Sequence, residues 1–272
     1  MLRGPNLLGL VTGLILAVGS IVITVPGCSK SDDPVDPGEG DTDQSIIADH
    51  AAVEYFATMT SQDTEIIRQN YRFYYGHTSH GSQIMTGLNM LASESAQYAP
   101  PQFHEVGDDL GQNGDTSWVQ ITRDYLDAHP EEIDVVMWSW CGGVSDNTVE
   151  GINTYLNAMH ALESDYADVI FVYMTGHLDG SGEPGNLRAR NNQIRDYCRQ
   201  YRKVLFDFAD IESYDPDGTY YPEDTDICNW CDEWCAEHDC PDCGSCAHSH
   251  CFNCYLKGQA FWCMMREVFV KR

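Results

Sequence analysis

"DVVMWSWCGGVSDN", residues 134–147, decides the fold. It opens on a nearly continuous apolar run, the pattern of a strand buried on both faces. Gly142 and Gly143 break that run. A helical pattern, "NTVEGINTYLNAMHALES" (147–164), starts at once, with Asn147 or Asp146 as its cap. Strand, tight loop and amphipathic helix together make half of a parallel crossover. The unit recurs downstream in "DVIFVYM" (168–174), the polar helix "NLRARNNQIRDYCRQY" (186–201) and the apolar run "KVLFDFA" (203–209).

Upstream, the aromatic, strand-like "YRFYY" (71–75) precedes a helix over 82–96, with Ile84, Leu88 and Leu91 on one face. A weakly signalled strand, 102–107, precedes a helix over 117–130. Residues 45–59 read as one helix, 61–70 as a shorter one and 255–270 as the closing helix. Buried strands alternating with helices predict the α/β class. The expected architecture is a flavodoxin-like, three-layer α/β/α sandwich of about five parallel strands, with a cysteine-rich insertion near its end. Ligands in such sheets bind beyond the carboxyl ends of the strands, so the loops that follow each strand carry the functional candidates.

The first such loop reads "GHTSHGS" (76–82). Ser79 and Ser82 stand at the start of a helix, where free N–H groups favour negative charge. Either is a candidate nucleophile, and either is equally an ordinary helix cap. His77 and His80 are pocket candidates beside them. In "CGGVSDN", Gly142 and Gly143 let backbone approach a ligand, and Asn147 offers an amide donor. His177 follows the next strand as a further pocket candidate, set against the commoner exposed loop histidine. Near the last helix, His248 and His250 are candidate general bases, with Asp242 or Asp226 to orient them.

The chain resembles the SGNH (GDSL-like) hydrolases in the order of these blocks. "YYGHTSHGSQIMTGL" is similar to the "G-H-x-S-x-G-x-x-I-x-x-G" opening of a divergent group within that superfamily. "DVVMWSWCGG", "VIFVYMTGH", "RNNQIRDYC", "LFDFADIE" and "CAHSHCFNCYLKGQAFW" look like its later blocks, so the likeness spans residues 65–270. It implies an ester hydrolase with Ser79 as nucleophile and His248 as base. Asn147 or the amides of Gly142 and Gly143 would serve the oxyanion, with Gly107 or Gly111 as the second-block glycine. Thr78 stands where that family's aspartate would be, and Ser245 stands where the aspartate three residues before its histidine would be.

Residues 1–28, an apolar run with Arg3 near its start and Cys28 at its end, resemble a bacterial lipoprotein signal. The competing reading is an uncleaved membrane anchor. Residues 29–45 hold six acidic residues, two prolines and two glycines, and read as a disordered acidic tether. Residues 46–272 then form the α/β domain. The expected location is the bacterial cell envelope, periplasmic or at the cell surface, with the membrane reached through a lipid on Cys28. A net charge of −27 repels phosphate backbones, so no nucleic-acid partner is expected. The sequence says nothing of oligomeric state.

Eight of the 12 cysteines fall within 228–254: Cys228, Cys231, Cys235, Cys240, Cys243, Cys246, Cys251 and Cys254. In an exported chain disulfides are the default, and the cluster then staples the loop that carries His248. The alternatives are zinc at the Cys-x-x-Cys pairs and an iron–sulfur centre at Cys240, Cys243 and Cys246. No cofactor is otherwise expected.

The functional expectation is a serine esterase acting on an ester, with an acylated polysaccharide as the substrate class. Trp138, Trp140, Tyr173 and Trp230 are candidate sugar platforms, or core. The alternative is a non-catalytic glycan-binding or metal-binding module on the same fold.

Overall fold

Six parallel strands, in the order β1-β6-β5-β4-β2-β3, make one sheet. They are β1 (Ile46–Ala48), β2 (Arg72–Gly76), β3 (Gln102–Val106), β4 (Val135–Trp138), β5 (Ile170–Met174) and β6 (Val204–Phe206). The computed structural model describes residues 44–272 and Met1. The signal, Cys28 and nearly all of the tether therefore lie outside the described residues.

β4, β5 and β6 are buried along their whole lengths, which is why they read as unbroken apolar runs. β3 is an edge strand with Gln102, His104 and Glu105 exposed, so its signal was weak. The five expected strands, β2 to β6, lie in the flavodoxin-like order. The sixth, β1, corrects the expectation of a single helix over 45–59. Ile46 to Ala48 pair with Val204 to Phe206, and a short helix, α1 (His50–Glu54), follows and runs into a 3-10 turn, Tyr55–Thr58. Its local pattern is helical, but the free edge of β6 captures the segment as a strand.

The helices form the outer layers. α3 (Ser82–Glu94) and α9 (Cys251–Lys271) pack against each other, and α9 also meets α1, α2 (Ser61–Asn70) and α7 (Phe208–Ser213). α4 (Ser117–Ala128), α5 (Val149–Asp165) and α6 (Asn186–Gln200) pack in sequence as the other layer. Trp118, Trp138, Tyr155, Tyr173 and Phe171 fill the core. Trp138, Trp140, Tyr173 and Trp230 are all buried, so the sugar-platform reading is corrected to core.

α3 and α9 touch backbone to backbone. A Cβ on Gly87 would fall inside contact distance of the Cys254 carbonyl, and one on Gly258 would meet the backbone of Gly87. This close crossing brings the start of α9, and the loop before it, to the carboxyl edge of β2.

The segment 210–254 is less bare than its composition suggests. It includes the end of α7 and all of α8 (Asn229–Glu237), and α9 begins at Cys251 rather than 255. All eight of its clustered cysteines are bridged: Cys228–Cys231, Cys235–Cys240, Cys243–Cys251 and Cys246–Cys254. Their sulfurs are consumed, so neither the zinc nor the iron–sulfur alternative has thiolates there to bind with. Four disulfides are the mark of an oxidising compartment. Among the described residues no helix is long and apolar enough to cross a membrane.

Candidate functional site

The chain reverses its direction of travel across the sheet at β2, which pairs with β3 on one side and β4 on the other. Such a switch point leaves a crevice at the carboxyl ends of the two strands. Ser79 and His80 follow β2 there, and Cys141 follows β4.

Cys141 is the centre of the polar contacts. Its Sγ lies 3.1 Å from Ser79 Oγ and 3.2 Å from His80 Nδ1. The other ring nitrogen of His80, Nε2, is 2.9 Å from Asp226 Oδ2. His177, after β5, stacks on His80 at 3.8 Å between ring centroids and an interplanar angle of 1°. His248 stacks on His80 at 4.6 Å. The loops after β2, β4 and β5, the segment after α7 and the loop before α9 thus converge on one imidazole.

His80 is buried, and its pKa is pushed down to about 4. Burial is the main cause, and the neighbouring rings of His177 and His248 add to it. The Asp226 carboxylate opposes the shift without reversing it. The ring is therefore neutral near pH 7 and carries one free lone pair.

Backbone geometry presents Cys141. Gly142 and Gly143 both take positive φ, of 90° and 75°. A side chain on Gly143 would also collide with the Gly111 carbonyl, so the loops after β3 and β4 press together where only glycine fits. Asn147 is buried, and its amide donates to the Gly143 carbonyl at 2.7 Å while its Oδ1 accepts from Thr148 N. These bonds lock the glycine loop. The cap of α5 is Thr148, in place of the expected Asn147 or Asp146.

Ser82 is the first residue of α3, and its hydroxyl donates to the Ser79 carbonyl at 2.6 Å. Thr78 donates to Asp109 at 2.8 Å, tying the first loop to the second. His77 turns to the sheet edge, with Nε2 2.9 Å from Glu105. Gly107 is open to space, and Gly111 donates its N–H to Asp109. His250 caps α9 by accepting from Phe252 N, and its other nitrogen stands 3.6 Å from Asp232. Asp242 accepts from Gly244 N within its own loop. Among the described residues no hydrogen bond joins Ser79 to His248; the serine's hydroxyl is engaged with Cys141.

Cys141 and the buried network behind the histidines are not among the sequence candidates. Lys257 and Glu212 are fully buried and joined at 2.7 Å, with the ammonium also bonded to Gln83 Oε1. Gln83 donates to the Ala247 carbonyl at 2.6 Å, next to His248. Glu212 accepts from Leu178 N at 2.8 Å, next to His177. Asn253 on α9 donates to Ser249 at 2.7 Å. A buried ion pair of this kind holds only while every member is satisfied. Here it fastens the segments that carry all three histidines. A lysine in the apolar face of "NCYLKGQAFW" was the available signal.

Cys141 is also the free thiol with access to solvent among the described residues, because Cys198 and Cys263 are buried. Burial pushes both of those thiols up. A separate cavity of about 490 Å³, lined by His50, Tyr214, Trp234, Phe252 and Tyr255, involves none of the cluster.

No family model matches the chain, and no curated protein matches it. Among solved structures it is similar to one from Bacteroides fragilis NCTC 9343 described as a "putative acylhydrolase". The TM-score is 0.36 and the identity 9%, and the likeness covers 60% of this chain and 81% of that one.

Proposed function

We propose that the chain is an acyl hydrolase that cleaves an ester by covalent transfer to Cys141. One observation carries the reading: His80 lies between Cys141 Sγ at 3.2 Å and Asp226 Oδ2 at 2.9 Å. Asp226 accepts from Nε2–H and so leaves Nδ1 as the acceptor that faces the thiol. As Sγ bonds to the acyl carbon, its proton passes to Nδ1 and the carbonyl electrons move to oxygen. Collapse expels the alcohol, which takes the proton from Nδ1. Water then attacks the thioester, giving its proton to Nδ1. The second collapse releases the acid and returns the proton to the sulfur. Ser79 Oγ, 3.1 Å from the sulfur, is a hydroxyl donor for the thiolate that forms on its release.

A second reading takes Ser79 itself as the nucleophile and His248 as the base. Two features favour it: the block order that resembles SGNH hydrolases, and the stacking of His248 over His80 at 4.6 Å. In both readings the protein is exported, anchored through Cys28 in the cell envelope, and acts on an ester such as an acylated polysaccharide. No nucleic acid takes part.

Labelling and turnover distinguish these readings. Iodoacetamide is expected to modify Cys141, and aryl-acetate hydrolysis to fall at least about 10³-fold in Cys141→Ala and His80→Ala. Fluorophosphonate labelling lost in Ser79→Ala, with turnover retained in Cys141→Ala, transfers the role to the serine. Turnover unaffected by either substitution sinks catalysis at this site. Glycan binding without any turnover identifies a binding module.

A further inference from the structure

We propose that His80, Asp226 and His248 form a binding site for a divalent transition metal of the zinc class. Each offers one ligand atom, and the three atoms lie within 4.8 Å of one another. Zinc–nitrogen and zinc–oxygen bonds of about 2.0–2.2 Å place tetrahedral ligand atoms roughly 3.4 Å apart. The cluster therefore needs only small side-chain movements to close on an ion. Two imidazoles and one carboxylate suit zinc, cobalt(II) or iron(II), whereas calcium and magnesium favour all-oxygen shells. Three protein ligands leave a corner for water, as in sites that stay open.

The supporting shell is in place. The Asp226 N–H donates to the Leu178 carbonyl at 3.1 Å, which fixes the carboxylate's segment to the loop after β5. His248 takes a left-handed φ of 60°, unusual for a residue other than glycine. It stands inside the loops closed by Cys243–Cys251 and Cys246–Cys254. Cross-links and the Gln83 bond to Ala247 hold it in that conformation over His80. When Nε2 of His80 takes the metal, its proton resides on Nδ1 and is donated to Cys141 Sγ at 3.2 Å, an outer-shell bond of the kind that orients a ligating histidine.

That tautomer is the opposite of the one hydrolysis needs. With Nδ1 protonated, His80 cannot accept the thiol proton of Cys141. Resting on the proposed hydrolase reading, the metal is therefore an off-switch, and one imidazole serves either metal or base.

The test uses the whole chain with its disulfides intact, stripped by a chelator and then titrated with zinc or cobalt(II) in equilibrium dialysis. One equivalent is expected to bind, with the visible bands of tetrahedral cobalt(II). Affinity is expected to fall at least about 100-fold in His248→Ala and in Asp226→Ala, while His160→Ala, an exposed control, leaves it unchanged. Ester hydrolysis should fall in proportion as the site fills. Absence of stoichiometric binding overturns the site, and so does binding that both ligand variants retain, which would mark scattered surface carboxylates. Zinc bound without any hydrolysis by the stripped protein leaves the site standing and removes the hydrolase reading. Hydrolysis without zinc binding does the reverse.

Discussion

His80 shows how burial sets chemistry at a single residue. Its folded pKa of about 4 lies below the ordinary imidazole value of 6.5, so between those pH values the unfolded chain binds the proton and the folded one does not. Stability is unaffected by this group above pH 6.5 and falls as the pH drops from 6.5 towards 4. The full loss is roughly 3 kcal/mol at 1.36 kcal/mol per pH unit. Urea unfolding of chelated protein at several pH values should show that acid slope, and His80→Gln should remove its share. The acid limb of hydrolysis is expected near pH 4 for the same reason, and a limb near 6.5 would contradict the burial argument. The polar residues around "GHTSHGS" were legible as candidates, but their division of labour was not. His77 goes to the edge of the sheet and His80 to its centre because the turn after β2 points successive side chains apart. No local pattern encodes which way each one points.

Among the elements, the α3–α9 crossing governs the site. Both helices were visible from their periodicity, yet their closeness depends on two glycines in separate segments. Gly87→Ala places a methyl against the Cys254 carbonyl, which is backbone and cannot swing aside. The substitution is expected to cost about 1–3 kcal/mol in urea unfolding with an unchanged denaturant slope. Gly107→Ala, at an open position, should cost less than about 0.5 kcal/mol. Equal effects would show that the close packing contributes nothing. The same tertiary override explains β1, where a helical pattern yields to an unpaired strand edge.

For the whole molecule, the sheet and the disulfide-bonded segment are expected to be separable in stability. The sheet core rests on apolar burial, while 228–254 rests on four cross-links that restrict its unfolded ensemble. Mild reduction should therefore raise hydrogen exchange across 228–254 and leave β2, β4, β5 and β6 protected. Zinc affinity should fall as His248 loses its restraint, while hydrolysis by the chelator-stripped protein persists. Uniform loss of protection, or none, would show that the two parts are not separable.

The sequence by itself determined the strand–helix rhythm and the parallel sheet, and it favoured disulfides over metal in the cysteine cluster, because each is a local matter of periodicity, composition or compartment. Only the tertiary structure decided that His80 stands between Cys141 and Asp226. Those partners are 61 and 146 residues away in the chain. Contacts at such separations are set by how strands are ordered and where loops cross, and that order emerges only when buried faces from the entire chain pack together.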